Sequence, residues 1–353
     1  MPSRASLHHP TMTDALHVAR EILAGEEAWV LGGAIRDELL GRSVVDLDIA
    51  CRDPERAARA FAGRAGAAVF PLSAQHGGWR VALRTNRTVD FTPLQDGSIE
   101  TDLATRDFTI NAIAVPLAGG EPVDPYDGRG DLERGLLRVV SPGVFDDDPL
   151  RLLRAVRLED ELGFRLDPAA EQLVREKAEL VGRPAGERIL EELLRLSADG
   201  YERLAELGLL EHLGGASRKR LRAFDSPCFR LAVTFGRNLK RLPISNDLRR
   251  FVGALLRAEA PADGGPRAIH RFRRATEPWA LEALAFVGAD RYADAVREAR
   301  EHEPAEPLLR GDELGLPPGP EVGRLLELIA EERAAGTIAT REEALELVRR
   351  SVG

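Results

Sequence analysis

At 353 residues, 44% hydrophobic and 30% charged, the chain is long enough for two or more cores and has the composition of a globular multidomain protein. Its two cysteines, Cys51 and Cys228, are too few for a disulfide framework or a zinc quartet, which points to a reducing cytoplasm. The net charge of −9 argues at first sight against a polyanionic partner, and no segment has the unbroken apolar length of a membrane span.

Residues 1–16 contain no apolar signal core and read as a loose leader. Residues 28–31 form a short apolar run that stops at Gly32 and Gly33, and residues 34–40 then show helical spacing: strand, glycine turn, helix. Such a turn presents bare backbone N–H groups, which suit a phosphate. After Gly41, the apolar Val45, Leu47 and Ile49 alternate with Asp46 and Asp48, so a strand over residues 44–50 carries both carboxylates on one face. Two like charges side by side call for a cation. Taken singly, these features have ordinary readings, a turn and a solvated strand face, and their conjunction carries the signal. Cys51 flanks this strand as a packing residue.

Further strands are expected at residues 79–83, 88–92 and 111–115, with a helix at 54–65, so residues 17–140 read as an α+β head. From about residue 147 onward strand signals stop and amphipathic helices run to the end. Pro142-Gly143 opens this region, with Asp147 expected to cap the next helix and Pro149 to lie in its first turn. A helical neck over residues 141–200, a basic helical body over 201–265 and a helical tail over 266–353 follow, the last boundary marked by Gly264-Gly265-Pro266. There is no internal repeat.

Charge is unevenly spread. Residues 218–274 hold fifteen Lys/Arg against four Asp/Glu, and residues 275–353 hold nine against seventeen. The runs SRKRLR and HRFRRA place Arg218, Lys219, Arg220, Arg222, Arg271, Arg273 and Arg274 in one expected helical region. Phosphate-backbone contact explains them better than solvated helix faces. With aromatics at only 5%, stacking platforms are poorly supplied, and recognition should be of RNA shape and backbone.

Six segments then share an order: LGGAIRD with DLD (residues 31–48), RDFTINAIA (106–114), DPYDGRGDLERGLLR (124–138), DDPLRLLRAVRL (147–158), GERILEELLRL (186–196) and LLRGDELGLPPGPEVGRLL (308–326). Together they resemble the polymerase β-like nucleotidyltransferases, in the form of bacterial-type (class II) tRNA CCA-adding enzymes and poly(A) polymerases. The resemblance implies a small mixed-sheet head followed by all-helical neck, body and tail, and a reaction that joins a nucleotide to an RNA 3′ end with release of pyrophosphate. It implies that Asp46 and Asp48 hold two Mg²⁺ ions, with Asp90 as a third carboxylate on a neighbouring strand. Gly32, Gly33 and Arg36 would seat the triphosphate, Asp37 orienting Arg36 or the turn. Arg106 would contact nucleotide, and Asp107 and Asn111 would support sugar or loop geometry. Arg154 and Arg157 would contact nucleotide or phosphate. Two positions depart from the family pattern: Thr105 stands where a first arginine is usual, and Asp147 replaces a glutamate.

Asp148 and Arg151, three residues apart, are expected on one helical face. A carboxylate accepts from an exocyclic amine and a guanidinium donates to a ring acceptor, which matches the Watson–Crick edge of cytosine or adenine. An isolated pair at this spacing is as readily a surface salt bridge, and the motif around it favours base reading. Between Asp90 and Arg106 lie only the fifteen residues FTPLQDGSIETDLAT, where full CCA-adding enzymes resemble one another in a much longer flexible loop. The short form resembles CC-adding enzymes, so the expected partners are tRNA, CTP and a separate A-adding enzyme acting afterwards. Full CCA addition with CTP and ATP is the alternative, and a poly(A) polymerase is third. A non-catalytic RNA-binding module predicts loss of the aspartates or the glycine turn, and both are present. A small-molecule nucleotidyltransferase explains neither the basic block nor DDPLR.

Overall fold

The computed structural model describes residues 12–73, 77–83, 87–217 and 219–352. Of the expected leader, residues 1–11 lie outside the described residues, and residues 12–16 instead open the first helix, α1 (Met12–Ile22). The glycine turn then joins β1 (Ala28–Leu31) to α2 (Gly33–Leu39). Beyond it come β2 (Asp46–Cys51), α3 (Pro54–Ala65), β3 (Ala68–Ser73), β4 (Gly78–Ala82), β5 (Thr88–Pro93), α4 (Ile99–Ala104) and β6 (Ala114–Pro116). The strands form one mixed sheet in the order β3-β4-β5-β2-β1-β6, in which only β2 and β5 run parallel.

Local chemistry explains where these elements start and stop. Asp53 accepts a hydrogen bond from the Arg56 backbone N–H, Pro54 occupies the first turn of α3, and Gly66 ends the helix in the left-handed region at φ 60°. Its inner face, Ala57, Ala58, Phe61 and Ala62, is buried, and Phe61 meets Phe91 of β5 at 5.7 Å between ring centroids. Helix α3 therefore covers the sheet face that carries Leu47, Ile49 and Phe91, all fully buried. Asp46, Asp48 and Asp90, one residue out of phase, project to the other face. The sequence pattern missed β3: Pro71 interrupts it, Phe70 and Leu72 are exposed, and it lies at the sheet edge, where a proline is tolerated. The strand expected over residues 111–115 starts later, because Thr109–Asn111 form a 3-10 turn before Ala114 enters the sheet.

After α5 (Gly128–Arg134), the two-residue strands β7 (Leu136–Leu137) and β8 (Arg165–Leu166) pair with each other, too short to register in a periodicity reading. Between them lie α6 (Val144–Asp147) and α7 (Arg151–Leu162), followed by α8 (Pro168–Glu176). Asp147 does not cap α7 as expected. Pro149 forces its predecessor Asp148 into extended backbone at φ −144° and ψ 100°, which ends α6. Asp148 Oδ1 instead accepts from the Leu150 N–H at 3.1 Å, and Asp147 is left exposed at the end of α6.

The chain divides into two compact units, residues 1–184 with 206–213 and residues 185–205 with 214–353. The second unit is helical: α9 (Gly186–Arg195), most of α10 (Ala198–Glu206), α12 (Pro227–Phe235), α13 (Asn246–Arg257), α14 (Pro266–Thr276), α15 (Ala280–Val287), α16 (Ala293–Glu301), α17 (Pro320–Ala334) and α18 (Arg341–Val352), while α11 (Leu209–His212) belongs to the first. A mixed-sheet head followed by helices is the α+β architecture expected from the sequence. Among the described residues, no helix is long and apolar enough to cross a membrane.

Candidate active site

The open face of the sheet gathers negative charge. Asp48 on β2 is in register with Asp90 on β5, and Asp46 lies two residues earlier on the same strand, where Thr88 Oγ1 donates to its Oδ1 at 2.8 Å. Burial pushes the Asp48 carboxyl up to about 6; Arg106 opposes this, and Asp90 and Asp46 add to it. Asp90 is buried, and both its oxygens are engaged by Arg80 of β4, at 2.7 and 2.6 Å. Arg80 was not anticipated; it faces Asp90 across the β4–β5 ladder, and only the register could have revealed it. Among the described residues there is no cluster of three potential metal ligands. Two carboxylates on one strand face nonetheless fit a hard divalent cation, which commonly rests on one or two carboxylates plus substrate phosphates.

The glycine turn borders these aspartates. Gly32 sits at φ 72°, and a β-carbon there would come within 3.3 Å of Asp48 Oδ2, so glycine is required twice over. Arg36 lies over Gly33, its Nη2 3.4 Å from where a β-carbon would stand. Helix α2 is only seven residues long, so the turn depends on bare N–H groups and Arg36 more than on a helix dipole. Arg36 donates from Nε and Nη2 to the Asp37 carboxylate at 2.9 and 3.0 Å, and from Nη1 to Asn111 Oδ1 at 2.8 Å. Arg106 is pinned by Asp102 at 3.1 and 2.6 Å, with its Nη1 turned toward Gly32. Sequence reasoning missed Asp102, although its i,i+4 spacing from Arg106 is a signal for such a pair.

Asn111 passes the network on, its Nδ2 donating to Asp107 Oδ1 at 3.0 Å, while Arg154 of α7 pairs with Asp107 Oδ2 at 2.8 Å. Burial alone would raise the Asp107 carboxyl, but Arg154, Asn111 and the Phe108 N–H outweigh it and hold the group below the usual carboxylate range. Arg151 is the first residue of α7 rather than one turn into a helix shared with Asp148. Its guanidinium is fixed by backbone carbonyls, Nη2 to Thr105 O at 2.6 Å and Nη1 to Val144 O at 3.3 Å. Thr105 thus enters the site through its main chain. Arg157 is buried on α7 and paired with Glu161. Cys51 is buried, its thiol pushed up to about 11 by burial, in keeping with a packing role.

The basic block looks different in three dimensions. Arg218 lies outside the described residues, and residues 219–222 form turns rather than the expected helix. Arg222 pairs with Asp199 and Glu202, and Arg220 donates to Ala285 O at 2.9 Å. On α14, Arg271 pairs with Glu331 and Arg274 with Glu327 of α17, and Arg273 pairs with Glu277 and Glu303. The basic stretch and the acidic tail, separate in sequence, therefore neutralise one another in part. Lys219, Arg237, Lys240 and Arg241 are exposed and make no ion pair among the described residues.

A six-stranded mixed sheet with a glycine turn, paired aspartates on its open face and a helical continuation defines a nucleotidyltransferase of the polymerase β-like class. Residues 28–96 and 79–138 match the family model of the poly A polymerase head domain, and residues 163–214 match that of the probable RNA- and SrmB-binding site of polymerase A. The chain is 32% identical to a CC-adding tRNA nucleotidyltransferase of Geobacter sulfurreducens, across 91% of each chain. It is 34% identical to an A-adding tRNA nucleotidyltransferase of Deinococcus radiodurans, across 92% of this chain and 95% of the other. The structure of the Thermotoga maritima CCA-adding enzyme complexed with tRNA shares the fold, with a TM-score of 0.74, 22% identity and coverage of 96% and 94%. The chain belongs to the bacterial-type tRNA nucleotidyltransferase and poly(A) polymerase family and is a nucleotidyltransferase; this family generally uses divalent metal ions.

Proposed function

We propose that this chain adds two C residues to the 3′ end of tRNA from CTP, releasing pyrophosphate, and leaves the terminal A to a separate A-adding enzyme. The observation that carries the reading is the connection from β5 to Arg106. Instead of a long polar loop it is a short folded strut: Ser98 caps α4 by accepting from the Thr101 N–H, and Ile99 and Leu103 are buried against Leu31, Ala50 and Ala112. The strut ends at Thr105, whose carbonyl holds Arg151. A base-reading arginine tied to a fixed strut favours one pocket shape over a pocket that changes from C to A. Curated relatives divide among CC-, A- and CCA-adding enzymes, so the product is the test. With tRNA lacking its CCA end and CTP alone, the 3′ end should gain two residues and stop; an A-adding enzyme leaves this substrate untouched.

In this reading residues 17–140 form the catalytic head, 141–200 the neck that carries the nucleotide template, and 201–265 and 266–353 the RNA-binding body and tail. The enzyme works in the cytoplasm with tRNA and CTP. Asp46 and Asp48 hold Mg²⁺, which when bound makes the RNA 3′-hydroxyl more acidic and neutralises charge on the departing pyrophosphate. Asp90 is the flanking third carboxylate, shared with Arg80. Gly32, Gly33 and Arg36 seat the triphosphate, Arg106 faces it from α4, and Arg154 and Arg157 support the nucleotide from α7. Asp148 and Arg151 read the cytosine edge: the carboxylate accepts from the exocyclic amine and the guanidinium donates to the ring acceptor. The attacking oxygen joins the α-phosphorus as the bond to pyrophosphate breaks, a reaction that needs positioning more than covalent chemistry from the protein.

RNA binding falls first on the cations that make no ion pair among the described residues. Replacing Lys219, Arg237, Lys240 and Arg241 with glutamine should weaken tRNA binding and flatten its salt dependence, by roughly one unit of log–log slope for each phosphate that is no longer neutralised. Replacing Arg271 and Arg274 should act mainly on stability, because the first strands the buried Glu331 and the second unpairs Glu327. Both arginines lie mostly in solvent, so the loss is screened and only a melting point slightly lower is expected. Dissociation constants across a salt series separate the two sets, and equal slopes for wild type and the first variant would remove those four residues from the RNA interface.

A further inference from the structure

One side chain in the head touches neither the aspartate pair nor the residues proposed to read the base, yet it connects both regions. Asn111 is buried, and its amide bridges two ionised groups of opposite sign: Oδ1 accepts from Arg36 and Nδ2 donates to Asp107. A cation at one end and an anion at the other leave only one orientation of the amide that satisfies both. The bonded series runs Asp37, Arg36, Asn111, Asp107, Arg154, so charge alternates along it with one neutral link in the middle. It joins the glycine-turn helix α2 to the N-terminal turn of α7, two elements far apart in the chain.

We propose that Asn111 is a positioning residue that couples triphosphate seating to base selection, so that the discrimination between CTP and UTP depends on a side chain that contacts neither base. The inference rests on the reading of Arg36 as triphosphate seat and of α7 as the base-reading helix. Arg36 has Nε, Nη1 and Nη2 all engaged by protein, which leaves its remaining N–H donors to an incoming phosphate in a fixed plane. A shift of that guanidinium toward phosphate must carry the Asn111 amide with it, since a buried polar group costs free energy when it loses its partner. Asn111 in turn draws on Asp107, which is buried, and Asp107 holds Arg154, three residues beyond Arg151 on α7. A tightly seated triphosphate thus sets the first turn of α7, and a nucleotide whose base fits poorly loses part of that setting.

The test is the ratio of kcat/KM for CTP to that for UTP on tRNA lacking its CCA end. Asn111→Ala, Arg36→Lys and the double variant are compared with wild type, and Asn111→Ser, which keeps a small polar group at the buried site without setting a second carboxylate against Asp107, serves as a second variant, each checked by its melting temperature. The ratio should fall by about fivefold or more in each single variant. The double should lose no more than the singles, because both cut the same series. An unchanged ratio with CTP and UTP falling together, in a variant that melts like wild type, overturns the coupling and leaves Asn111 a packing residue; losses that multiply in the double do the same. Failure of the underlying reading shows elsewhere, in a wild-type enzyme that does not prefer CTP at all.

Discussion

Asp46→Ala and Asp48→Ala should each reduce nucleotide transfer by on the order of 10³-fold or more, for every nucleotide alike, with tRNA affinity largely intact. Metal-ion stabilisation of the charge that develops in phosphoryl transfer is worth several kcal/mol, and each 1.36 kcal/mol is a factor of ten in rate. The two carboxylates lie on the sheet face opposite α3, and Leu47 and Ile49 between and beyond them fill the core. Removing the acidic side chains therefore leaves the packing of β2 untouched. For Asp48 the substitution even relieves a destabilising feature, a partly buried carboxylate crowded by Asp90 and Asp46, so the variant should melt no lower than wild type. Single-turnover transfer and filter binding on the same preparations check both halves. Appreciable turnover in both variants removes the pair from the chemistry.

Asp148→Ala should act on choice rather than on chemistry. With the acceptor for the exocyclic amine gone, CTP loses a charge-assisted hydrogen bond, and UTP no longer confronts a carboxylate with its carbonyl oxygen. At about 1–3 kcal/mol for such a mismatch, the preference for CTP over UTP should fall by roughly 5–150-fold. Asp148 also accepts from the Leu150 N–H at the start of α7, so loss of a cap adds a stability cost of about 1 kcal/mol. Asp148→Asn separates the two effects: it keeps an acceptor for that N–H and changes what is offered to the base. A CTP preference that survives both substitutions would mean that the base is read elsewhere.

What could be read from sequence divides along physical lines. The alternation of Val45, Asp46, Leu47, Asp48 and Ile49 is strictly local, and the structure shows the two faces it implies. The ends of α3 follow likewise from Asp53, Pro54 and Gly66. Local reading failed where a neighbour overrules the pattern. Pro149 acts backward on Asp148, which moved the helix start expected at Asp147, and Pro71 hid an edge strand. Long-range pairing lay beyond any reading of spacing: Arg80 with Asp90 needs the strand register, and Arg271 with Glu331 joins helices sixty residues apart. The charge asymmetry was real in the sequence. Part of it serves to bind α14 to α17, and under the proposed function the cations outside those pairs are the ones expected to meet RNA.

Thr105 illustrates the same limit. A missing arginine was legible as one positive charge fewer, but its carbonyl, which fixes Arg151, leaves no mark in the residue type. That hydrogen bond ties the short strut before Arg106 to Arg151, and under the proposed function it is the reason for expecting a pocket that takes C and does not convert to take A. The direct measurement supplies tRNA lacking its CCA end with Mg²⁺, CTP and ATP together and resolves the products at one-nucleotide resolution. Product that stops at CC with ATP present is the predicted result, and product that runs on to CCA contradicts it.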